Sequence, residues 1–308
     1  MYFLIYMEYK KLFRNRNLRI RILSWLTWIP DFIMIPLQYW IYTGQRLSFS
    51  TPKRFTEKIQ LYKLKCHIPA MLHCTDKYEV RKYVKQKYLD KLLIPLIGIY
   101  STTKEINFNS LPNQFVVKTT DGGGGNQVLI CRNKSKLLEQ EFYDVLNSWL
   151  LLPKPKKSAG REWAYENGYQ RRIIIEELLT DGYHKDIPDY KFWCFHGVPR
   201  YCQVIGNRSE KETIDFFDME WKHQSFRGLN KICNNADIPP IQPDKFEEMK
   251  DIARILSQEF PFVRVDLYQA NGKVYFGELT FYPAGGYGHF TPDIYDNKLG
   301  NYLDISQF

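Results

Sequence analysis

Phe262-Val263-Arg264-Val265-Asp266-Leu267-Tyr268, then Gln269-Ala270-Asn271-Gly272, then Lys273-Val274-Tyr275-Phe276-Gly277-Glu278-Leu279-Thr280 is the stretch that decides the fold. Asn-Gly between two β-type runs marks a hairpin. Register then decides which residues meet. A two-residue turn at 271–272 pairs Asp266 with Gly277 and sends Glu278 to the opposite face. A three-residue loop at 270–272, with Gly272 left-handed, pairs Arg264 with Glu278. Arg264, Asp266, Glu278 and Thr280 then share one face, and Val263, Val265, Leu267, Tyr275 and Leu279 share the other. Burial of one apolar face favours this second register. Two carboxylates side by side repel unless a cation sits between them. Oxygen donors of this kind suit Mg²⁺ held jointly with substrate phosphates. The plainer alternative is an Arg264–Glu278 ion pair with Asp266 on the surface.

Upstream lies Phe115-Val116-Val117-Lys118-Thr119-Thr120-Asp121-Gly122-Gly123-Gly124-Gly125-Asn126. A strand ends in lysine, four glycines follow, and a second strand begins at Gln127. Consecutive glycines let backbone N–H groups turn toward one anion. A strand lysine adds a fixed positive charge. This is not a P-loop, because no lysine follows the glycines and no helix begins there. Nor is it the protein-kinase order, in which the glycine loop comes first.

Outward from these motifs, further strands are expected at 127–131, 172–178, 190–195, 200–205 and 213–217, with helices at about 135–150 and 244–258. Strands outnumber helices and hairpins recur, so the class is α+β. Toward the N-terminus, Thr51-Pro52 reads as a helix start with Phe55, Ile59 and Tyr62 as its apolar stripe. Asp76 and Glu79 read as a capping-box-like pair ahead of Val80, Tyr83 and Val84. Residues 10–29 read as a basic amphipathic helix, which either packs on its own domain or lies on an anionic membrane surface. Pro30 and Pro36 interrupt the apolar stretch 22–42, which argues against a membrane span.

The chain has 308 residues, 44% hydrophobic, and a formal charge of +9, so a full core is available and an anionic partner is favoured. The six cysteines show no Cys-x-x-Cys spacing and read as free thiols in a reducing cytoplasm. No secretory leader is apparent, because the basic residues follow the apolar start.

The order of motifs resembles the ATP-grasp superfamily over about residues 75–290: Lys77 at a helix start, Lys118 on a strand, the glycine loop, a strand ending in Glu176-Glu177, then Arg264-x-Asp266 and Glu278-x-Thr280. The stretches Thr51 to Gln60, Asp189 to Phe195, Phe262 to Tyr268 and Phe276 to Phe281 are similar to the TupA-like branch, linked to teichuronopeptide synthesis. The resemblance implies an ATP-grasp fold, with two α+β subdomains clasping ATP, preceded by a mainly helical N-terminal segment. It divides the chain into residues 1–74 and 75–308, with a lid subdomain at about 110–180 and a metal-binding subdomain at about 185–300. It also implies roles. Lys77 and Lys118 would hold phosphates, with Gly122, Gly123, Gly124 and Gly125 as a lid. Glu176 to Leu179, with Glu177, would form the hinge that reads adenine. Asp189 would take a ribose hydroxyl, and Lys191 would sit near adenine or phosphate. Arg264 would stabilise an acyl phosphate. Asp266 and Glu278 would bind Mg²⁺, with Thr280 where the superfamily usually has asparagine. The implied activity is an ADP-forming carboxylate–amine ligase using ATP and Mg²⁺ at the cytoplasmic face of the inner membrane. An amino acid would be joined to a uronic acid of a lipid-linked envelope glycan, and no nucleic acid is expected. An ATP-grasp kinase acting on a sugar hydroxyl and a non-catalytic basic binding protein are the alternatives. Arg161, Arg171, Arg172, Arg200, Arg208 and Arg227 are candidates for acceptor carboxylates.

Overall fold

The computed structural model describes residues 25–306 apart from 124, 155–156, 185, 207–210 and 230–233. Most of the expected basic helix at 10–29 therefore lies outside the described residues, as do Gly124, Arg208 and Cys233.

Two antiparallel sheets organise the chain. The smaller has the order β1 (Leu96–Tyr100), β4 (Ile173–Glu177), β2 (Phe115–Thr119), β3 (Val128–Cys131). The larger has the order β11 (Lys273–Thr280), β10 (Phe262–Ala270), β5 (Asp189–Phe195), β6 (Val198–Gly206), β7 (Thr213–Phe217), β8 (His223–Gln224). A two-stranded ribbon pairs β9 (Arg227–Gly228) with β12 (Phe290–Thr291). The expected strands form, and β1 is an addition that sequence patterning did not supply. Gly98, at a register irregularity against β4, interrupts its pattern.

The helices are α1 (Asp31–Thr43), α2 (Phe55–Lys65), α3 (Pro69–Cys74), α4 (Val80–Gln86), α5 (Glu139–Leu150), α6 (Phe246–Ser257) and α7 (Ile294–Tyr302). Pro36 sits inside α1 and does not break it. Helix α2 begins at Phe55, later than Thr51-Pro52 suggests, because other groups cap it. The Glu57 carboxylate accepts from the N–H groups of Lys53 and Arg54 at 2.9 and 3.0 Å. Asp296 on α7 accepts from the Thr56 N–H at 2.9 Å and its hydroxyl at 2.7 Å. Asp76 does cap the turn into α4, accepting from the N–H groups of Tyr78 and Glu79. Glu79 does not close the expected box; it pairs instead with Lys82 and Arg172.

Two cores result. One surrounds the larger sheet and is rich in aromatic rings, with Phe55, Trp193 and Phe262 in mutual contact. Phe55, Ile59, Tyr62 and Met71, from the segment ahead of residue 75, pack into this same core. The other core lies between the smaller sheet and α5 and holds Phe115, Val117, Phe142, Leu146, Ile173 and Ile175. The five described cysteines are free and buried.

Candidate active site

The β10–β11 hairpin follows neither expected register. Asn271 and Gly272 both have positive φ, 50° and 70°, and form a two-residue turn with Ala270 opposite Lys273. Between Leu267↔Phe276 and Asp266↔Glu278 the register shifts, so Gly277 is an extra residue. This bulge moves Glu278 directly across from Asp266 and Thr280 across from Arg264. The expected face of Arg264, Asp266, Glu278 and Thr280 therefore forms by a different route. On the apolar face Val274 and Phe276 are buried, whereas Tyr275 pairs with Tyr268 and is only half-buried.

The polar face is a tight charge cluster. Arg264 Nε and Nη2 donate to the two Asp266 carboxylate oxygens, each at 2.7 Å. Nη2 also donates to Glu278 Oε1 at 3.2 Å and to Thr280 Oγ1 at 3.0 Å. The Thr280 hydroxyl donates to the same Glu278 oxygen at 3.2 Å. Strand β5 places Lys191 opposite Asp266 and Asp189 opposite Tyr268. Lys191 Nζ donates to Asp266 Oδ2 and lies 3.4 Å from Asp189 Oδ2. The Asp266 side chain is 1% exposed and that of Glu278 is 44% exposed. Asp266 is thus locked by two cations, and Glu278 opens to the cleft. Enclosure raises the Glu278 carboxyl, but Lys191, Arg264 and Lys77 outweigh it and hold it at about 2.

The opposite wall comes from the smaller sheet and the start of α4. Lys77 Nζ donates to the carbonyl of Gly122, and the Lys77 N–H donates to Thr120 O at 2.9 Å. Burial lowers the Lys77 ammonium, with Glu278 pulling it back up and Lys118 pushing it further down. Lys77 therefore senses both Glu278 across the cleft and Lys118 on its own wall. Lys118 Nζ donates to Glu176 Oε2 and Arg81 Nη1 to Glu176 Oε1, both at 3.0 Å. Glu176, near the end of the inner strand β4, joins the two cations. Glu177 is exposed, and its N–H donates to Pro95 O at 3.1 Å. Leu179 is half-buried just beyond β4. Asn271 Nδ2, at the hairpin turn, donates to Thr180 O at 2.9 Å and ties the two regions together. A Cβ at Gly122 would meet Thr119 Oγ1 at 2.6 Å, whereas one at Gly123 would meet nothing within 4 Å.

Between these walls lies a cleft of about 300 Å³ whose lining includes Lys77, Gly122, Gly123, Arg264, Glu278 and Thr280. Thr75, Tyr165, Tyr282, Ala284 and Gly285 also line it. Sequence reading missed these, and it missed Arg81. Arg81 stands in the first turn of α4, four residues after Lys77, and no sequence pattern tied it to Glu176. The loop at 284–286 has three successive positive φ angles of 49°, 64° and 70°. Its Ala-Gly-Gly composition was the cue, but nothing in the pattern tied it to the cleft. Two acceptor candidates are committed elsewhere. Arg161 clamps Leu26 O, Ile29 O and Asp31. Arg171 holds Asp121 and the end of α5. Arg172 pairs with Glu79 and lies over the Tyr78 ring, Arg200 lies over Tyr302, and Arg227 donates to Asn234.

Comparison with known proteins gives the family of the chain. The family described as TupA-like ATP-grasp matches residues 57–304, and the chain belongs to it. Among curated proteins none matches the sequence. Among solved structures, D-alanine–D-alanine ligase from Bacillus anthracis is similar at 17% identity, with 69% of this chain and 58% of that one covered and a TM-score of 0.42. N5-carboxyaminoimidazole synthetase from Staphylococcus aureus, complexed with ADP, is similar at 16% identity, with 73% and 50% covered and a TM-score of 0.44. The D-alanine–D-alanine ligase from Helicobacter pylori is similar at 13% identity, with 82% and 70% covered and a TM-score of 0.42. The chain thus spans half to 58% of the length of the first two.

Proposed function

We propose that this chain is an ATP-dependent carboxylate–amine ligase that attaches an amino acid to a uronic acid of a cell-envelope glycan. The observation that carries the ligase reading is the pairing of Asp266 with Glu278, beside Arg264, across a cleft from Lys77 and the glycine loop. Two opposed carboxylates with a neighbouring hydroxyl form a hard-oxygen donor set. No cluster of three His, Cys, Asp or Glu side chains that could hold a metal occurs among the described residues. Such a pair fits a cation that takes its remaining ligands from substrate phosphates. Glu278, open to the cleft, would hold Mg²⁺ most directly, with Thr280 beside it and Asp266 sharing its oxygens with Arg264 and Lys191; the ion when bound neutralises phosphate charge.

The chain's own groups account for the rest. Lys77 and the N–H groups around Gly122 and Gly123 would hold the phosphates of ATP. Lys118 would exchange Glu176 for a phosphate oxygen. The acceptor carboxylate attacks the γ-phosphorus, and ADP leaves. The amine then attacks the acyl carbon, and inorganic phosphate leaves. Arg264 would steady the negative charge at both steps. Phosphoryl transfer depends chiefly on such positioning and charge stabilisation. The formal charge of +9 favours a polyanionic acceptor.

The test measures ADP and free phosphate released from Mg-ATP across a panel of amino acids, with and without uronic-acid oligosaccharides. Release that needs one amino acid and one sugar acid supports the reading. ADP without free phosphate, together with a phosphorylated sugar, would replace the ligase with a kinase. Turnover with two amino acids and no glycan would keep the ligase and reject the glycan.

A further inference from the structure

Helix α1 is split lengthwise. Met34, Ile35, Gln38 and Tyr39 are buried against the body of the protein. Polar bonds fix that side: Tyr39 OH lies 3.0 Å from Thr56 Oγ1, Gln38 Nε2 donates to Ala159 O at 2.8 Å, and Tyr287 OH donates to Gln38 Oε1 at 3.0 Å. The remaining arc, about 140° wide at helical spacing, carries Phe32, Ile33, Leu37 and Trp40. These are 64, 50, 44 and 44% exposed, and no charged residue interrupts them. Asp31 is the charged residue of the helix, and it is bound to Lys157 and Arg161 on the other side. Just before the helix, Trp25 and Trp28 are 86 and 78% exposed. Contiguous apolar exposure of this size marks an interaction surface.

We infer that this aromatic face seats on an anionic lipid bilayer, with α1 lying in the plane of the interface. Two observations select a bilayer over another protein surface. The face is rich in tryptophan, the side chain that membrane interfaces favour. The sequence leading into it, residues 9–30, holds Lys10, Lys11, Arg14, Arg16, Arg19 and Arg21 and no acidic residue, which complements anionic headgroups. With 13 residues α1 is too short to cross a bilayer, so on a membrane it would lie in the interface plane. Its inner side holds Tyr287, next to the loop lining the cleft, which would set the cleft one helix away from the lipid. This inference does not depend on the ligase reading.

The experiment uses the full chain with sedimenting vesicles, either pure phosphatidylcholine or containing about one-third phosphatidylglycerol. Wild type should pellet with the anionic vesicles and much less with the neutral ones. Phe32→Ser combined with Trp40→Ser, and separately Trp25→Ser combined with Trp28→Ser, should each weaken that partition at least about tenfold. Unchanged melting temperature and ATP binding would show that the variants stay folded. No binding to anionic vesicles would overturn the inference. So would binding that neither variant weakens, since basic residues alone would then be responsible. Light scattering that finds a dimer which the same variants dissociate would assign the face to a second copy.

Discussion

The two walls of the cleft reach complementary charge in different ways. The larger sheet presents Lys191, Arg264, Asp266 and Glu278 already joined by short bonds, on strands backed by a core of packed aromatic rings. The smaller sheet and its glycine loop present single lysines, Lys77 held by one loop carbonyl and Lys118 by one carboxylate. The first wall is preorganised, and its electrostatic effect needs no rearrangement when charge develops. The second has contacts that a phosphate can replace one at a time. Substitutions of the buried members of the first wall, Asp266, Arg264 and Lys191, should therefore change chemistry and stability together, while those on the second should mainly change nucleotide affinity.

The sharpest way to break this contrast is at the carboxylate pair. Glu278→Ala should lower turnover of ATP by at least about a hundredfold with little loss of ATP-independent folding, since its side chain is 44% exposed. Asp266→Asn should also abolish turnover. In addition it should cost stability, because it removes the nearest counter-charge of the buried Arg264 and Lys191 and leaves them only Glu278 and Asp189. Denaturant titration measures the second effect. If Asp266→Asn were as stable as Glu278→Ala, the wall would not be locked in the way these bonds indicate.

Gly277→Ala tests the same wall through its backbone. A Cβ there would sit 2.9 Å from the Tyr268 ring and 3.0 Å from Asp266 O. Relieving that overlap should cost about 1–3 kcal/mol and move Glu278 off Asp266. Mg²⁺ dependence of turnover should then shift to higher concentration, read from a metal titration at fixed ATP. Normal metal dependence would mean that the bulge has no part in aligning the pair.

That bulge also shows where sequence reading stops. Alternation and Asn271-Gly272 were enough to find the hairpin and the four residues of its polar face. The pairing itself depends on where Tyr268 packs over Gly277, which is a contact across strands. The glycine loop and Lys118 were legible because strand, lysine and glycines are adjacent in the chain. Tyr165 and Thr75 were not, because tertiary packing alone brings them to the cleft. Helix α7 was missed for a similar reason. Its Asn and Gly residues are poor helix formers, and α2 fixes it: Lys58 Nζ donates to Gly300 O and Leu303 O at 2.8 and 2.7 Å. Asp296 in turn caps α2, and this replaced the helix start expected at Thr51-Pro52. Pro36 misled in the other direction, because α1 tolerates it while packing its buried side on the body.

On the second wall, Gly122→Ala and Gly123→Ala separate loop shape from loop bulk. Gly122 has Thr119 Oγ1 within 2.6 Å of an added Cβ, and Gly123 has nothing within 4 Å. Gly122→Ala should weaken ATP binding about tenfold, or about 1.4 kcal/mol, and leave the melting temperature nearly unchanged. Gly123→Ala should bind ATP close to normally. Calorimetric titration of ATP distinguishes them. Equal losses would make the loop a general lid with no particular close approach at Gly122.

The smallest expected effect is in the pH dependence of stability, and its sign follows from Glu278. The carboxyl is held at about 2 in the folded chain, against an ordinary value of 4.5. A group lowered in this way binds fewer protons folded than unfolded, so it adds stability above the unfolded value. That contribution should be complete above about pH 4.5, decline as pH falls, and be gone near pH 2. Because the carboxyl is partly open to solvent, screening keeps the contribution small. The difference in melting temperature between wild type and Glu278→Gln should follow the same course, constant from neutrality down to about pH 5 and narrowing below it. Lys191, Arg264 and Lys77 are its cause, so adding 0.5 M salt, roughly a 4 Å screening length, should compress the difference only modestly if Glu278 sits within their cluster. A difference that instead widened toward low pH would mean that enclosure, not these cations, governs the carboxyl. The first wall would then be preorganised for packing and not for charge.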